Sequence, residues 1–140
     1  GSASFLPGDG MSLDVLAAVR YLRASGAKSV SVVGGSMGGG AAAQASVECR
    51  PTEIDALVLI APAPIAHPER MQGRKLFIVG REDADADGSR RLERIREQYE
   101  KAPVPKELMI LESSAHAQFL FETDQGARLV SEILRFLDGA

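Results

Sequence analysis

A run of five glycines around one serine, residues 34–40, limits what this chain can fold into more than any other part of the sequence. A branched apolar stretch, residues 29–33, leads directly into it, and a stretch of small residues with helical character, 38–49, follows. Glycine is favoured where a backbone turns sharply or approaches another segment closely. The pattern therefore predicts a strand, a tight turn and a helix, with Ser36 at the apex of the turn.

Three further apolar runs are nearly continuous, which is typical of parallel strands covered on both faces. They are residues 56–60, 75–79 and 107–111. Segments with helical spacing precede, follow and separate the strands, except between the second and third strands, where residues 61–74 form a Pro-rich loop. Consecutive strands are therefore joined by crossover connections. The sequence therefore predicts an α/β fold of three layers, with about four parallel strands and helices on both faces.

The ends of the predicted helices are marked by capping residues. We expect Ser12 to cap the first helix and Gly26 to stop it. A charged helix begins near Ser89, with Asp87 as its cap, and the last amphipathic helix follows a cap at Thr123.

The composition is that of one folded domain of 140 residues, with 45% hydrophobic residues and a net charge of −3. We expect residues 1–10 to be a leader, with Gly1 and Ser2 as the remnant of a tag, and residues 11–140 to be a single domain. No basic surface for nucleic acid and no apolar run of membrane-spanning length is present in the sequence, so we expect neither partner. The lone Cys49 cannot form an internal disulfide, which favours a cytoplasmic location.

The arrangement Gly-x-Ser-x-Gly between a strand and a helix indicates a nucleophilic serine. The turn would lift the Ser36 hydroxyl above the sheet. We expect Gly34, Gly35 and Gly38 to form this turn, with Gly34 and Gly38 avoiding the clashes that β-carbons would cause. The backbone N–H of Met37, at the start of the helix, would stabilise an oxyanion formed there.

Other uses of a glycine-rich turn fit less well. A phosphate-binding loop would need Lys followed by Ser or Thr, which does not occur here. A dinucleotide fingerprint on Gly38, Gly40 and Ala43 would lie too far into the helix, and no acidic residue ends the next strand. A turn that serves only close packing of helix on sheet stays open as an alternative.

A nucleophilic serine needs a histidine base, and in this setting the acid precedes the histidine along the chain. His116 follows the fourth predicted strand, at the same end of the sheet as Ser36, and we predict that it is the base. His67 precedes the third strand, so we expect it at the surface or at the rim of the site.

The acid should follow the third strand, where four carboxylates lie within residues 82–87. Spacing favours Asp83, three residues after the glycine that ends the strand. Asp85 and Glu82 stay open as alternatives, and the stretch could also be no more than a solvated turn.

These segments resemble the α/β-hydrolase superfamily, and within it the dienelactone-hydrolase-like and peptidase-like serine hydrolases. The resemblance rests on residues 32–39, on residues 76–80 followed by Asp83, and on residues 114–120. It implies a Ser36–His116–Asp83 triad. The family's sheet is larger, so the chain corresponds to the C-terminal half, a truncated α/β-hydrolase fold. The loop that gives the family its second oxyanion donor has no counterpart; the candidate replacements are the backbone N–H groups of Gly8 and Gly10.

The resemblance implies a serine esterase that cleaves small carboxylic esters through an acyl-enzyme, without metal or organic cofactor. Residues 61–74 are too few for a lid, which favours short acyl chains. A thioesterase or peptidase with the same triad is one alternative. A catalytically silent fragment or interaction module is another, because the second oxyanion donor is unassigned. One flank of the strand at 29–33 would be bare, so we expect a homodimer that covers this edge.

Overall fold

The computed structural model describes residues 10–139, which form four α-helices, four strands and two 3-10 turns. The helices are α1 (Met11–Ala24), α2 (Met37–Glu48), α3 (Arg91–Lys101) and α4 (Gly126–Leu137). The strands are β1 (Ser31–Gly35), β2 (Ala56–Ile60), β3 (Arg74–Gly80) and β4 (Lys106–Leu111), and the 3-10 turns are Pro68–Arg70 and Ala117–Glu122. None of the helices within residues 10–139 is both long enough and apolar enough to cross a membrane. Most of the leader predicted for residues 1–10, namely 1–9, lies outside the described residues.

The four strands form one parallel sheet in the order β1-β2-β3-β4, which confirms the predicted fold class. β2 is buried at every position, and so is β3 after its first residue. Such burial explains why both strands are continuously apolar in the sequence. Because all four strands run in the same direction, their carboxyl ends meet at one end of the sheet.

Helices cover both faces of this sheet, as predicted. One face packs against α1, α2 and α3 in a core that includes Leu16, Val19, Ala42, Ala45, Leu57, Leu59, Phe77, Val79, Leu92 and Ile95. The other face packs against α4 in a core that includes Val58, Ile60, Leu76, Ile78, Met109, Leu111, Leu120, Leu129, Ile133 and Phe136. Burying one such apolar side chain is worth roughly 1.5–3 kcal/mol. The two cores therefore stabilise the sheet, which positions the loops at its carboxyl end.

Two predicted helix caps are wrong. Ser12 lies inside the first turn of α1, and its buried hydroxyl donates to the Glu48 carboxylate (3.2 Å) instead of capping the helix. Asp87 does not cap α3, which begins at Arg91; its carboxylate accepts a hydrogen bond from the N–H of Ser89 (2.9 Å) and closes a local turn. Short polar side chains favour such turns as readily as caps, which is why the sequence pattern misplaced both.

The other helix boundaries lie close to the predictions. Gly26, with a φ of +102°, follows the end of α1 as expected of a stop. Thr123 lies one turn before α4, where its hydroxyl oxygen accepts a hydrogen bond from the N–H of Gln125 (3.1 Å). The last helix begins at Gly126 with Gln125 as its N-cap, so the predicted cap at Thr123 is also wrong.

β1 forms one edge of the sheet. Its inner side pairs with β2, and within residues 10–139 no strand pairs with its outer side. Val33 lies opposite Val58, on the face that α4 covers, but α4 packs chiefly over β2, β3 and β4. Val33 is consequently 51% exposed. The described chain thus has a free edge beside the strand that leads into Ser36.

Candidate active site

Ser36 is the single residue between β1 and α2, and its backbone conformation is strained. Its φ is +55° and its ψ is −122°, a conformation that residues with a β-carbon rarely adopt. The turn is attached to its neighbours by its own backbone: the N–H of Ser36 donates to the carbonyl of Ile60 (2.9 Å), and its carbonyl accepts from the N–H of Ala63 (2.9 Å). The hydrogen bonds to the segment that follows β2 hold the serine at the carboxyl end of the sheet.

Gly34 is required by the close approach of the turn to α2. A β-carbon on Gly34 would lie 2.5 Å from the carbonyl oxygen of Gly38, a distance that no real contact allows. The clash predicted for Gly38 itself is wrong, since a β-carbon there would meet nothing within 4 Å. A β-carbon on Gly35 would lie 3.5 Å from the Ala117 β-carbon, which is an ordinary contact distance.

Two glycines further along α2 carry the constraint that was expected of Gly38. A β-carbon on Gly39 would lie 2.9 Å from the Pro62 side chain, and one on Gly40 would lie 3.0 Å from the Ala63 carbonyl oxygen. The start of α2 therefore packs directly against the segment that follows β2. The run of glycines serves both the turn and this helix contact.

The structure brings Ser36, His116 and Asp83 together in one chain of hydrogen bonds. His116 Nε2 lies 3.0 Å from Ser36 Oγ, and His116 Nδ1 lies 2.7 Å from Asp83 Oδ2. A carboxylate only accepts hydrogen bonds, so the imidazole proton lies on Nδ1 and Nε2 is free to accept from the serine hydroxyl. Asp83 is 1% exposed, while the His116 side chain is 30% exposed and reaches solvent.

Gly80 allows the loop after β3, which carries Asp83, to pack against the loop after β4, which carries His116. A β-carbon on this last residue of β3 would lie 2.6 Å from the carbonyl oxygen of Ser113, in the loop that leads to His116. The N–H of Glu82 donates to that same carbonyl (3.0 Å), and the N–H of Asp83 donates to the Gly80 carbonyl (3.2 Å). The sequence marked Gly80 only as the end of a strand, because its second role depends on a segment more than thirty residues away.

The alternative acids and the second histidine lie elsewhere. Asp85 pairs with arginines of α3, and Glu82 pairs with Arg90 at 3.7 Å. His67 precedes the 3-10 turn Pro68–Arg70, where its exposed ring lies 3.0 Å from the Glu69 carboxylate. The His116 ring therefore contacts Asp83 rather than either alternative.

The N–H of Met37 lies at the first position of α2, where a helix provides no internal acceptor. It adjoins Ser36 and belongs to the positive end of the helix dipole, so it suits an oxyanion. Of the residues proposed as a second donor, Gly8 lies outside the described residues. Gly10 precedes α1, where its carbonyl accepts from the N–H of Asp14 (3.1 Å).

A small cavity of about 140 Å³ opens beside Ser36. Its wall is polar and apolar in similar measure, and two arginines of α3 line it. The lining residues are Ser36, Met37, Ala61, Pro62, Ala63, Pro64, Arg91, Arg94 and Ile95. A shallower groove of about 350 Å³ continues from it along α2, past Gln44 and Ile65. Sequence reasoning missed both arginines, since the charged pattern of α3 is also that of a solvated helix.

No protein-family model matches this sequence, and no curated protein matches it. Solved structures do match. The chain is similar to a predicted CIB-like hydrolase from Thermoplasma acidophilum, with a TM-score of 0.71 and 22% identity over 92% of this chain and 60% of that one. It is similar to an esterase from Pyrococcus furiosus, with a TM-score of 0.73 and 20% identity over 96% of this chain and 65% of that one.

A third similar structure is a monoacylglycerol lipase from Paleococcus ferrophilus, with a TM-score of 0.74 and 15% identity over 98% of this chain and 77% of that one. The chain thus spans 60% and 65% of the length of the first two structures. At these identities the likeness establishes the fold. The described residues have the fold of the α/β hydrolases, as the resemblance in the sequence predicted.

Proposed function

We propose that this chain carries the catalytic residues of a serine hydrolase that cleaves short-chain carboxylic esters. The observation that carries the proposal is the unbroken chain from Ser36 Oγ through His116 to Asp83, with distances of 3.0 and 2.7 Å, at the mouth of a cavity. A nucleophile, a base and an acid that orients the base are the groups that acyl transfer requires.

In the proposed reaction, Ser36 Oγ attacks the ester carbonyl while His116 Nε2 takes the hydroxyl proton. The tetrahedral intermediate collapses, the bond to the alcohol breaks, and the same proton passes from His116 to the leaving alcohol. Water then attacks the acyl-enzyme with His116 again as base, which releases the acid and restores Ser36. Asp83 keeps the imidazole in the required tautomer and stabilises the imidazolium that forms.

The charge that develops on the carbonyl oxygen would be met by the N–H of Met37. One such donor is worth about 2.7–4 kcal/mol of transition-state stabilisation. Serine hydrolases of this fold use two, so a second donor is part of the proposal without an assigned residue.

The size of the cavity supports short acyl groups. Its volume of about 140 Å³ accommodates only a few non-hydrogen atoms, and no lid is formed by the segment between β2 and β3, which holds only the 3-10 turn Pro68–Arg70. Esters are preferred over amides in this proposal because resonance makes an amide carbonyl less electrophilic, and because an amide anion is a much poorer leaving group than an alkoxide. A thioester would react by the same steps.

Hydrolysis of p-nitrophenyl acetate, butyrate and octanoate by the purified chain tests the proposal. We expect activity that falls with chain length and that Ser36→Ala lowers by roughly 10³-fold or more. Ser89→Ala, which removes a serine from the loop before α3, serves as the matched control and should keep full activity. Thioesters and aminoacyl amides in the same assay separate the thioesterase and peptidase alternatives.

Labelling by a fluorophosphonate distinguishes an inactive chain from a wrong assignment. Ser36 labelled without ester turnover would indicate a competent nucleophile with an incomplete oxyanion site, which is the silent-fragment alternative. Neither labelling nor turnover would contradict the proposal, provided that the chain is folded by circular dichroism.

We further propose a homodimer in which a second copy covers the free edge of β1. The outer N–H and C=O groups of an edge strand pair readily with another strand, and a two-fold axis beside β1 would align it antiparallel with its own copy. Val33, at this edge, is half exposed, so the contact would also cover apolar surface.

Light scattering after size-exclusion chromatography tests the dimer. We expect a dimeric mass at micromolar concentration that Val33→Lys converts to a monomeric one. Val104→Lys is the matched control, because Val104 is 78% exposed in the loop before β4, at the opposite edge of the sheet. A monomeric wild-type chain would contradict the proposal.

We also propose a cytoplasmic location. Cys49, the single cysteine, is a free and buried thiol, and a reducing compartment would keep it so. Fractionation of the source cells, followed by immunodetection of the chain, tests this location.

A further inference from the structure

Arg91, in the first turn of α3, makes two ion pairs that connect the candidate triad to a second layer of charge. Its Nε lies 3.0 Å from Asp83 Oδ1, and its Nη2 lies 2.9 Å from Asp85 Oδ1. Arg94, one turn further along α3, pairs with the other oxygen of Asp85. The charged groups thus form a row in the order His116, Asp83, Arg91, Asp85 and Arg94.

Both oxygens of the Asp83 carboxylate are engaged. Oδ2 accepts from His116 Nδ1, and Oδ1 accepts from Arg91 Nε. Asp83 is 1% exposed, so water offers little to replace either partner. A buried carboxylate is costly unless it is paired and hydrogen-bonded. Arg91 therefore supplies the charged partner of the buried Asp83 carboxylate and fixes the plane of that carboxylate.

Arg91 is itself held from two sides. The Asp85 carboxylate binds Nη2 of Arg91, and the backbone N–H of Arg91 donates to the Asp83 carbonyl (2.9 Å). Side-chain and backbone contacts thus both join the start of α3 to the loop that carries Asp83 and Asp85. The Arg91 side chain is 30% exposed, and Arg91 is one of the residues that line the cavity beside Ser36. A planar guanidinium can bridge two carboxylates in this way, whereas an ammonium group cannot match both directions.

We infer that Arg91 is a positioning residue of the triad, which acts through Asp83 to hold the His116 imidazole toward Ser36. This inference rests on the proposed function. The cation of Arg91 partly offsets the negative charge of Asp83 that the imidazolium experiences. Without Arg91, the imidazolium is favoured more strongly, and the free base that attacks the serine proton is populated only at higher pH.

Other charges near the imidazole occur in compensated pairs. In the loop between β3 and α3 the groups are Asp83, Asp85 and the Glu82–Arg90 pair. The others are Arg91 and Arg94 of α3 and the Arg81–Glu112 pair, which joins the ends of β3 and β4. Arg91 alone among these cations contacts the carboxylate that His116 uses. The effect on the pH dependence should consequently be specific to this residue.

The kinetic test compares Arg91→Met, Arg91→Lys and Arg90→Met. Arg90 is the matched control: it adjoins Arg91, its loss changes the net charge equally, and its partner is Glu82 at the surface. We expect Arg91→Met to lower kcat at least tenfold with KM changed less than threefold, and to move the acidic limb of the kcat/KM profile to higher pH. Arg91→Lys, which keeps the charge, should restore the acidic limb while kcat stays reduced. Arg90→Met should match the wild type.

A second measurement does not depend on turnover. In a His67→Gln background His116 is the single histidine, so its ring protons can be followed by NMR across the pH range. The midpoint of that titration should lie at higher pH in Arg91→Met than in the parent, and Arg90→Met should leave it in place. Arg91→Lys, which keeps the charge, should stay near the parent. If Arg91→Met fails to fold, Arg91→Gln takes its place, because it also removes the charge but keeps an N–H donor, and it should move the midpoint in the same direction.

The two measurements separate the failure of this inference from the failure of the proposed function. A titration that shifts as expected in a chain without ester turnover would support the inference and contradict the function. Ester turnover with an unmoved midpoint, or with one moved to lower pH, would overturn the inference and leave the function standing. A loss of kcat in Arg91→Met that Arg90→Met reproduces would also overturn it.

Discussion

A β-carbon on Gly34 would lie 2.5 Å from the carbonyl oxygen of Gly38, while a β-carbon on Gly38 would lie in open space. The sequence pattern places both glycines two residues from the serine, but only Gly34 has no room for a side chain.

Gly34→Ala should therefore destabilise the chain, because the backbone of β1 and α2 would have to move apart. We expect a loss of about 2–3 kcal/mol in the free energy of unfolding, measured by urea titration. Gly38→Ala is the control: it lies inside α2, where alanine is favoured over glycine by up to about 1 kcal/mol. Equal losses for both variants would contradict this account of the turn.

Ser36 bears strain that glycine would relieve. Its φ of +55° costs about 1–3 kcal/mol for a residue with a β-carbon and little for glycine. After allowing for the greater freedom of glycine in the unfolded chain, we expect Ser36→Gly to be about 1 kcal/mol more stable than Ser36→Ala. Both variants lack the nucleophile, so urea unfolding compares the backbone alone. Equal stability would show that the turn carries no strain.

Lys75 is a buried cation whose bonds join two loops at the amino end of the sheet. Its side chain is 1% exposed, and Nζ donates to the carbonyls of Gly73 and Pro103. Lys75→Ala should cost about 2–4 kcal/mol, because it leaves a void and two carbonyls without donors. Lys101→Ala, which removes an exposed partner of Glu97, should cost less than about 0.5 kcal/mol. Thermal and urea unfolding should rank the two variants alike.

Glu53 should make the stability of the chain depend on pH in acid. Hydrogen bonds from Arg20 lower the pKa of Glu53 to about 2, aided by the N–H of Arg50. A carboxyl whose pKa is lower in the folded state stabilises the fold above its unfolded value near 4.5, and this stabilisation is lost as pH falls toward 2. Glu53→Gln should therefore be less stable than the wild type at pH 7, and the difference should vanish near pH 2. A constant difference in unfolding free energy across that range would contradict the expectation.

The strands were predictable from the sequence because burial on both faces leaves a continuous apolar run. The start of β1 was not. Val30 was expected in the strand, but its N–H donates to the Asp55 carboxylate (2.7 Å) and not to a neighbouring strand, so β1 begins at Ser31. A side chain that accepts a hydrogen bond in place of a strand carbonyl cannot be recognised from the pattern of apolar residues near Val30.

The three residues of the candidate triad were predictable because each follows the end of a strand, and parallel strands place those ends together. Arg91 was not predictable, because five carboxylates and four arginines lie between residues 82 and 96. Which of them pair depends on the turn between β3 and α3 and on the rotamers that it allows, and neither is encoded in spacing.

The sheet order β1-β2-β3-β4 follows the order of the chain. During synthesis on the ribosome, each new strand can therefore dock beside the one made just before it, without waiting for a distant partner. The face that includes Val58, Leu76 and Met109 is the exception, since α4, its cover, is translated after all four strands. A nascent chain that pauses before α4 would already present Ser36, Asp83 and His116, yet it would expose the apolar side of its sheet to chaperones.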